Sequence, residues 1–136
     1  MPLCNEYGCP GSVPVIYAMV DHESNRRIRA VGDGGESLGL LQLHARGLGS
    51  GMTDAQRFDP EQNLRRGIDY HARYLRQYGS IEAAVTAHNA GGAAVNRAYE
   101  NGGDWRDVPH SAGRTVAQVY TLPVLHTART RYGYQG

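Results

Sequence analysis

Apolar side chains recur at helical spacing in several separate stretches of this chain, with glycine or proline between them. From residue 13 to residue 24, for example, Ile16, Met19 and Val20 lie three and four positions apart, which places them on one face of a helix. Similar spacing returns from residue 60 onward. The pattern predicts a fold that is mainly α.

Several helix boundaries can be assigned from residue type. Asp59 and Pro60 are typical of a helix start, with the aspartate as N-cap and the proline in the first turn, and Gly79 is typical of its end. Ser80 can cap the next helix at once. Pro123 should kink the last helix or split it in two, because proline lacks the amide hydrogen that a helix interior needs.

Residues 30–50 interrupt this helical pattern. The segment is rich in glycine and contains one short apolar stretch, from Leu38 to Leu43. Glycine weakens regular helices and favours turns. We therefore expect a short irregular or β-hairpin region here.

The length of 136 residues suits one compact domain. The division that we predict is an N-terminal tail over residues 1–12 and a single domain over residues 13–136. Cys4 and Cys9 lie in that tail and are the only cysteines. The sequence leaves open whether they form a disulfide or remain free thiols.

Charge and hydropathy exclude some classes of partner. The formal net charge is +1, so the chain lacks the strong positive field that binds nucleic acid. No apolar run approaches the roughly 20 residues of a membrane-spanning helix. The first residues also lack the basic and apolar stretches of a secretory signal peptide, so delivery by that route is not expected.

Glu23 occupies an unusual place in the first helical pattern. It continues the apolar stripe of Ile16, Met19 and Val20, so a carboxyl group falls on the face that should be buried. Burial disfavours the ionised form of a carboxyl group and so favours a proton donor, which is what a general acid must be. The alternative is a helix-end carboxylate that turns to solvent or pairs with Arg26 or Arg27.

Four short motifs follow one another along the chain: Glu23-Ser24, Gly39-Leu40-Leu41-Gln42, Ala87-His88-Asn89-Ala90-Gly91, and Tyr120. In this order and spacing they resemble the soluble lytic transglycosylase (SLT) family. Its motifs are Glu-Ser at a helix end, Gly-Leu-Met-Gln, Ala-Tyr-Asn-Ala-Gly and a late tyrosine. The stretch from Phe58 to Leu64, followed by Gly67, is similar to the segment between the second and third family motifs.

The resemblance implies a mainly α, lysozyme-like (SLT) domain and assigns a role to each matching residue. Glu23 would be the catalytic acid and base, and Ser24 would help to orient the substrate. Gln42 and Asn89 would contact the sugar, and the Tyr120 hydroxyl would lie near the catalytic carboxyl group. Considered without the motifs, each of these residues also has an ordinary packing or capping interpretation.

His88 departs from the family pattern, since a histidine stands where the family mostly has tyrosine. It keeps a flat ring and a polar tip for the substrate but adds a titratable group beside the cleft. Two interpretations of His88 stay open. One is a substrate-binding residue, and the other is an inner, hydrogen-bonded histidine on the face that it shares with Ile81 and Val85.

The reaction implied by the resemblance is cleavage of the β-1,4 bond between N-acetylmuramic acid (MurNAc) and N-acetylglucosamine (GlcNAc) in peptidoglycan, leaving 1,6-anhydro-muramyl ends. That reaction needs one enzyme carboxylate, whereas a hydrolysing muramidase needs a second. Asp33 and Glu36 are the candidates for that second group, although a solvated turn also explains them. A third alternative is an inactive structural or glycan-binding module of a virion.

No cofactor or metal is expected, because the histidines show no metal-ligand spacing with carboxylates or thiols. The expected partner is the peptidoglycan glycan strand, together with other virion or secretion-machine proteins. For the setting we expect a phage virion, as a tail or ejected protein that acts in the host periplasm and cell wall. The alternative is a bacterial cell envelope reached by non-classical delivery.

Overall fold

The computed structural model describes residues 1–136. Seven α-helices account for most of the chain: α1 (Pro2–Glu6), α2 (Val13–Ser24), α3 (Asp54–Phe58), α4 (Pro60–Tyr78), α5 (Ile81–Ala90), α6 (Gly92–Glu100) and α7 (Leu122–Tyr132). Three two-residue strands lie between α2 and α3: β1 (Val31–Gly32), β2 (Ser37–Leu38) and β3 (Leu43–His44). The prediction of a mainly α fold is confirmed.

The predicted capping residues occupy their expected places. The Asp59 side chain accepts a hydrogen bond from the Gln62 amide at 2.9 Å, and α4 ends where Gly79 adopts a left-handed conformation (φ 67°). Ser80 then accepts from the Ala83 amide at 3.1 Å and so begins α5. These side chains satisfy amide groups that have no partner inside their own helix.

The glycine-rich segment forms a small antiparallel sheet in the order β1-β2-β3. Val31 pairs with Leu38, and Leu38 pairs in turn with Leu43. The predicted hairpin region is therefore present, with a third strand added. Each strand is only two residues long, so side-chain contacts from the neighbouring helices must fix its position.

The residues assigned to the N-terminal tail pack on the domain. Residues 2–6 form α1, and Cys4 and Cys9 are 0 % and 2 % exposed within the main hydrophobic core. Both are free thiols. Helix α3 was also not predicted from the sequence, although it begins with a reciprocal capping box between Thr53 and Gln56.

The main core lies where α2 meets α4, α5 and α7. Its largest fully buried side chains include Ile16 and Met19 from α2, Ile68 from α4 and Leu125 from α7. Each such side chain contributes about 1.5–3 kcal/mol when it is removed from water. The C-terminal helical segment is split as Pro123 predicts, with a π-helical turn at Ala117–Thr121 before α7. None of the helices is both long and apolar enough to cross a membrane.

Candidate active site

A cleft of about 640 Å³ opens between the small sheet and helices α4 and α5. The end of α2 reaches into it. Five of the residues that the sequence singled out line this cleft: Glu23, Asp33, Gln42, His88 and Asn89. They come from three separate regions of the chain, and the tertiary fold brings them together.

Glu23 lies in the last turn of α2, and its side chain is 17 % exposed. Pairing of Glu23 with Arg26 or Arg27 does not occur. Arg26 instead lies 3.4 Å from Asp21, and the Arg27 side chain donates to the Ser24 carbonyl at 3.2 Å. Glu23 is therefore left to face the cleft.

His88 lies beside Glu23, with its side chain 3 % exposed. Its Nε2 atom is 2.9 Å from the Leu41 carbonyl oxygen and 3.3 Å from Oε2 of Glu23. A carbonyl oxygen can only accept, so this hydrogen bond requires the hydrogen on Nε2. His88 is therefore a hydrogen-bonded inner histidine that also lines the cleft, and substrate binding by His88 stays a prediction.

Tyr120 approaches Glu23 from the protein interior. It lies in the π-helical turn and is 6 % exposed. Its hydroxyl faces the Glu23 carboxylate without a hydrogen bond of ordinary geometry. Burial raises the pKa of Tyr120 well above its ordinary value, and the negative charge of Glu23 raises it further. The hydroxyl thus remains a protonated donor directed at the carboxyl group.

Gln42 and Asn89 both line the cleft. Gln42 has a positive φ of 50°, and its side-chain nitrogen donates to the carbonyls of Ala30 and Gly39 at 3.1 and 3.0 Å. These bonds fix the amide plane and leave its oxygen free to accept. Asn89 is exposed in the last turn of α5, whose end is set by Gly91 rather than by Asn89 itself.

The remaining predicted residues differ in their relation to the cleft. Ser24 is buried, and its hydroxyl donates to the Val20 carbonyl within α2 at 3.0 Å, so it does not line the cleft. Glu36 also lies outside the lining. Asp33 lines the cleft and accepts a short hydrogen bond of 2.6 Å from the Ser37 hydroxyl.

Asn63 supports the cleft wall, a role that sequence reasoning did not assign. It is fully buried, accepts from the Leu41 amide at 2.9 Å and donates to the carbonyls of Leu38 and Arg57 at 3.1 and 2.8 Å. Its side chain therefore holds the loop that carries Gln42. Its position in the Phe58–Leu64 stretch was the available signal.

Tyr70 and Tyr74 were also not singled out from the sequence, yet both line the cleft from α4. They lie one helical turn apart, and their ring centres are 6.0 Å apart. Flat aromatic rings on a polar cleft are suited to pack against the apolar faces of sugar rings. The signal in the sequence was their four-residue spacing. No group of three histidine, cysteine or acidic side chains in residues 1–136 is placed to hold a metal ion.

The helical frame, the small sheet and the cleft with a mostly buried glutamate define a lysozyme-like domain. Residues 8–107 match the family model described as Transglycosylase SLT domain. The chain therefore belongs to the transglycosylase SLT domain family.

Comparison with solved structures gives the same fold. The chain superposes on the X-ray structure of an inactive mutant of the lytic transglycosylase Slt from Pseudomonas aeruginosa with a TM-score of 0.69 and 21 % identity. The match covers 99 % of this chain but 24 % of that one, so the chain spans about a quarter of the length of that protein. No curated protein matches the sequence closely enough to count as a relative.

Proposed function

We propose that this chain is a peptidoglycan lytic transglycosylase that cleaves the MurNAc–GlcNAc β-1,4 bond with Glu23 as acid and base. The observation that carries the proposal is the position of Glu23. It is a mostly buried carboxyl group at the end of α2 that opens onto a cleft of about 640 Å³. Family membership supports the class of reaction.

The proposed reaction uses the Glu23 carboxyl group twice, first as an acid and then as a base. Protonated Glu23 first donates its proton to the glycosidic oxygen, and the GlcNAc fragment leaves as an alcohol. The N-acetyl group of the muramyl sugar supports the resulting positive centre at C1. Ionised Glu23 then removes the proton from the muramyl C6 hydroxyl. The O6 atom of the sugar bonds to C1 and closes the 1,6-anhydro ring. No water is consumed.

The surrounding side chains have matching roles in this scheme. The oxygen of Gln42 and the amide of Asn89 are available on the cleft lining to bind sugar hydroxyl and N-acetyl groups. The Tyr120 hydroxyl stabilises the ionised form of Glu23 after the first proton transfer, because it faces that carboxyl group as a donor.

The second candidate function is that of a hydrolysing muramidase. The position of Asp33 supports it. Asp33 is a second carboxylate on the cleft lining. The hydrogen bond from Ser37 orients it. A second carboxylate beside the substrate is the group that a two-carboxylate hydrolytic mechanism requires.

Digestion of purified sacculi followed by mass spectrometry of the soluble products tests both candidates. We expect anhydro-muramyl ends from the wild type, no release by Glu23→Gln and unchanged release by the exposed control Glu100→Gln. Reducing muramyl ends would identify the hydrolase instead. Binding to sacculi without any soluble product would identify an inactive glycan-binding module.

The setting proposed for this activity is a phage virion, where local wall opening would accompany entry, with a bacterial cell envelope as the alternative. A cleft that acts on wall glycan is compatible with either. Mass spectrometry of purified particles tests the first setting. Absence of the chain from particles of a phage that encodes it would contradict that proposal.

A further inference from the structure

Arg46 is the only arginine among the side chains that line the cleft, and the chain contains no lysine. It lies in the turn after β3 and is exposed. None of the ion pairs of the chain involves its guanidinium group. Its backbone amide, in contrast, donates to Nδ1 of His44 at 3.1 Å. A permanently charged group is therefore free to bind an anion in the cleft.

The turn that carries Arg46 is held in place by two other arginines. Arg57 is 4 % exposed, and its Nη1 atom donates to the Leu43 carbonyl oxygen at 2.9 Å. Arg66 of α4 donates to the Leu48 carbonyl oxygen at 3.0 Å. Because these bonds already order the backbone on both sides of Arg46, a ligand that binds its guanidinium group does not have to order the turn as well.

The charges on the rest of the cleft lining differ from that of Arg46. Glu23 and Asp33 are the two carboxyl groups on the lining, and each repels a negatively charged ligand group when it is ionised. The guanidinium group of Arg46 presents N–H donors in a planar fork that matches the two oxygens of a carboxylate. Arg46 is therefore the lining side chain that is best suited to bind a carboxylate of the substrate.

The two sugars of a peptidoglycan strand differ in the substituent on O3. Both carry a 2-N-acetyl group, but only MurNAc has a lactyl arm on O3. That arm ends in a carboxylate or in a stem peptide that itself carries carboxylates. Gln42 and Asn89 offer amide groups, which bind hydroxyl and N-acetyl groups that the two sugars share. Recognition of MurNAc thus calls for a further group that binds the acidic arm.

We propose that Arg46 binds a carboxylate on the lactyl arm of MurNAc and so distinguishes MurNAc from GlcNAc in the cleft. The carboxylate is either that of the free lactyl group or one of the attached stem peptide. The proposal rests on the proposed function, because it takes the ligand of the cleft to be wall glycan. It adds a specificity-determining residue that contacts the substrate away from the bond that is cleaved.

Three soluble probes of equal sugar length separate the possible sources of the carboxylate. The first is a GlcNAc–MurNAc tetrasaccharide whose stem peptides have been removed by an amidase, which leaves free lactyl carboxylates. The second is the same tetrasaccharide with its stem peptides, and the third is chitotetraose, which has no acidic arm. NMR titration of the full chain measures the Kd for each probe, in a Glu23→Gln background that keeps the sugars intact.

Two substitutions of Arg46 and one control are compared in that background. Arg46→Gln removes the charge, and Arg46→Lys keeps a charge but loses the planar fork. Arg97→Gln is the matched control, because Arg97 is also exposed and outside every ion pair of the chain but lies on α6 away from the cleft lining.

We expect Arg46→Gln to raise the Kd for an acidic probe by about five- to tenfold, with a smaller rise in Arg46→Lys. The Kd for chitotetraose should stay unchanged, and Arg97→Gln should match its background for all three probes. A rise with the amidase-treated probe identifies the lactyl carboxylate, and a rise confined to the second probe identifies the stem peptide. Unchanged Kd values for both acidic probes, or an equal rise for chitotetraose, would overturn the proposal.

This experiment is independent of glycan cleavage. Binding that depends on Arg46, together with no release of fragments from sacculi by the wild type, would leave carboxylate recognition in place and contradict the proposed lytic function. Release of fragments with Kd values that do not depend on Arg46 would have the opposite meaning. A chain that binds none of the three probes would contradict both proposals.

Discussion

The side-chain oxygen of Asn63 accepts a hydrogen bond from the Leu41 backbone amide at 2.9 Å. The same side chain donates to the Leu38 and Arg57 carbonyls. One residue of α4 thus fixes the loop that presents Gln42 to the cleft and the Leu41 carbonyl to His88. The geometry around Glu23 depends on this buried amide.

Replacing Asn63 with alanine should lower the free energy of unfolding by about 2–4 kcal/mol, because three backbone groups lose their buried partner. Urea denaturation measures the change. Asn101→Ala, at an exposed position after α6, is the matched control and should change stability little. Equal effects of the two substitutions would contradict the role assigned to Asn63.

Gly39→Ala should lower the free energy of unfolding by more than backbone strain alone explains. Gly39 has a φ of +85°, and a Cβ atom there would collide with the Arg57 carbonyl oxygen and the Asn63 side-chain nitrogen. Gly102 has nearly the same φ, +86°, but open space around it. Gly102→Ala should therefore cost about 1–2 kcal/mol of strain, and Gly39→Ala should cost clearly more. Thermal or urea unfolding of both variants gives the comparison, and similar losses would rule out the collision.

Tyr120→Phe should separate activity from stability. The Tyr120 hydroxyl is buried without a hydrogen-bond partner, so its removal should leave the free energy of unfolding within about 0.5 kcal/mol or raise it. Loss of the donor that faces Glu23 should lower kcat by about tenfold or more, since such bonds tighten during reaction. Unfolding curves and fragment release are measured on the same preparation. A Tyr120→Phe variant that unfolds more easily than the wild type but has a normal kcat would contradict the role assigned to the Tyr120 hydroxyl.

Buried His71 should make the fold sensitive to mild acid. Its pKa is lowered to about 4, while the unfolded chain takes up the proton near the ordinary value of 6.5. Below pH 6.5 the unfolded state therefore binds more protons than the folded state. The contribution of neutral His71 to the free energy of unfolding is fully present above pH 6.5, and it is lost progressively as the pH falls toward about 4. The total loss is about 3 kcal/mol.

His71→Gln removes this titration and keeps a polar group for the Ser12 hydroxyl, which His71 contacts at 2.9 Å. The free energy of unfolding of this variant should depend less on pH between 6.5 and 4 than that of the wild type. The exposed control His110→Gln should retain the wild-type slope. Parallel slopes for His71→Gln and wild type would show that His71 does not carry the effect.

The sequence by itself determined the mainly α class, the ends of α4, the start of α5 and the split near Pro123. These features depend on local chemistry, such as capping side chains, glycine at a left-handed position and the missing amide of proline. The order of the four motifs also led to the family, which the match over residues 8–107 shows. Helix α3 could have been predicted too, because its Thr53–Gln56 capping box is local.

Only the tertiary structure decided which of the predicted residues meet. Ser24 adjoins Glu23 in sequence but donates to its own helix, whereas Gln42, His88 and Asn89 reach the cleft from distant parts of the chain. The contact of His88 with both Glu23 and Leu41 joins α5, α2 and the sheet region, and no local pattern encodes it. Side-chain orientation at such a site follows from the packing of separate elements, which residue spacing along one element does not determine.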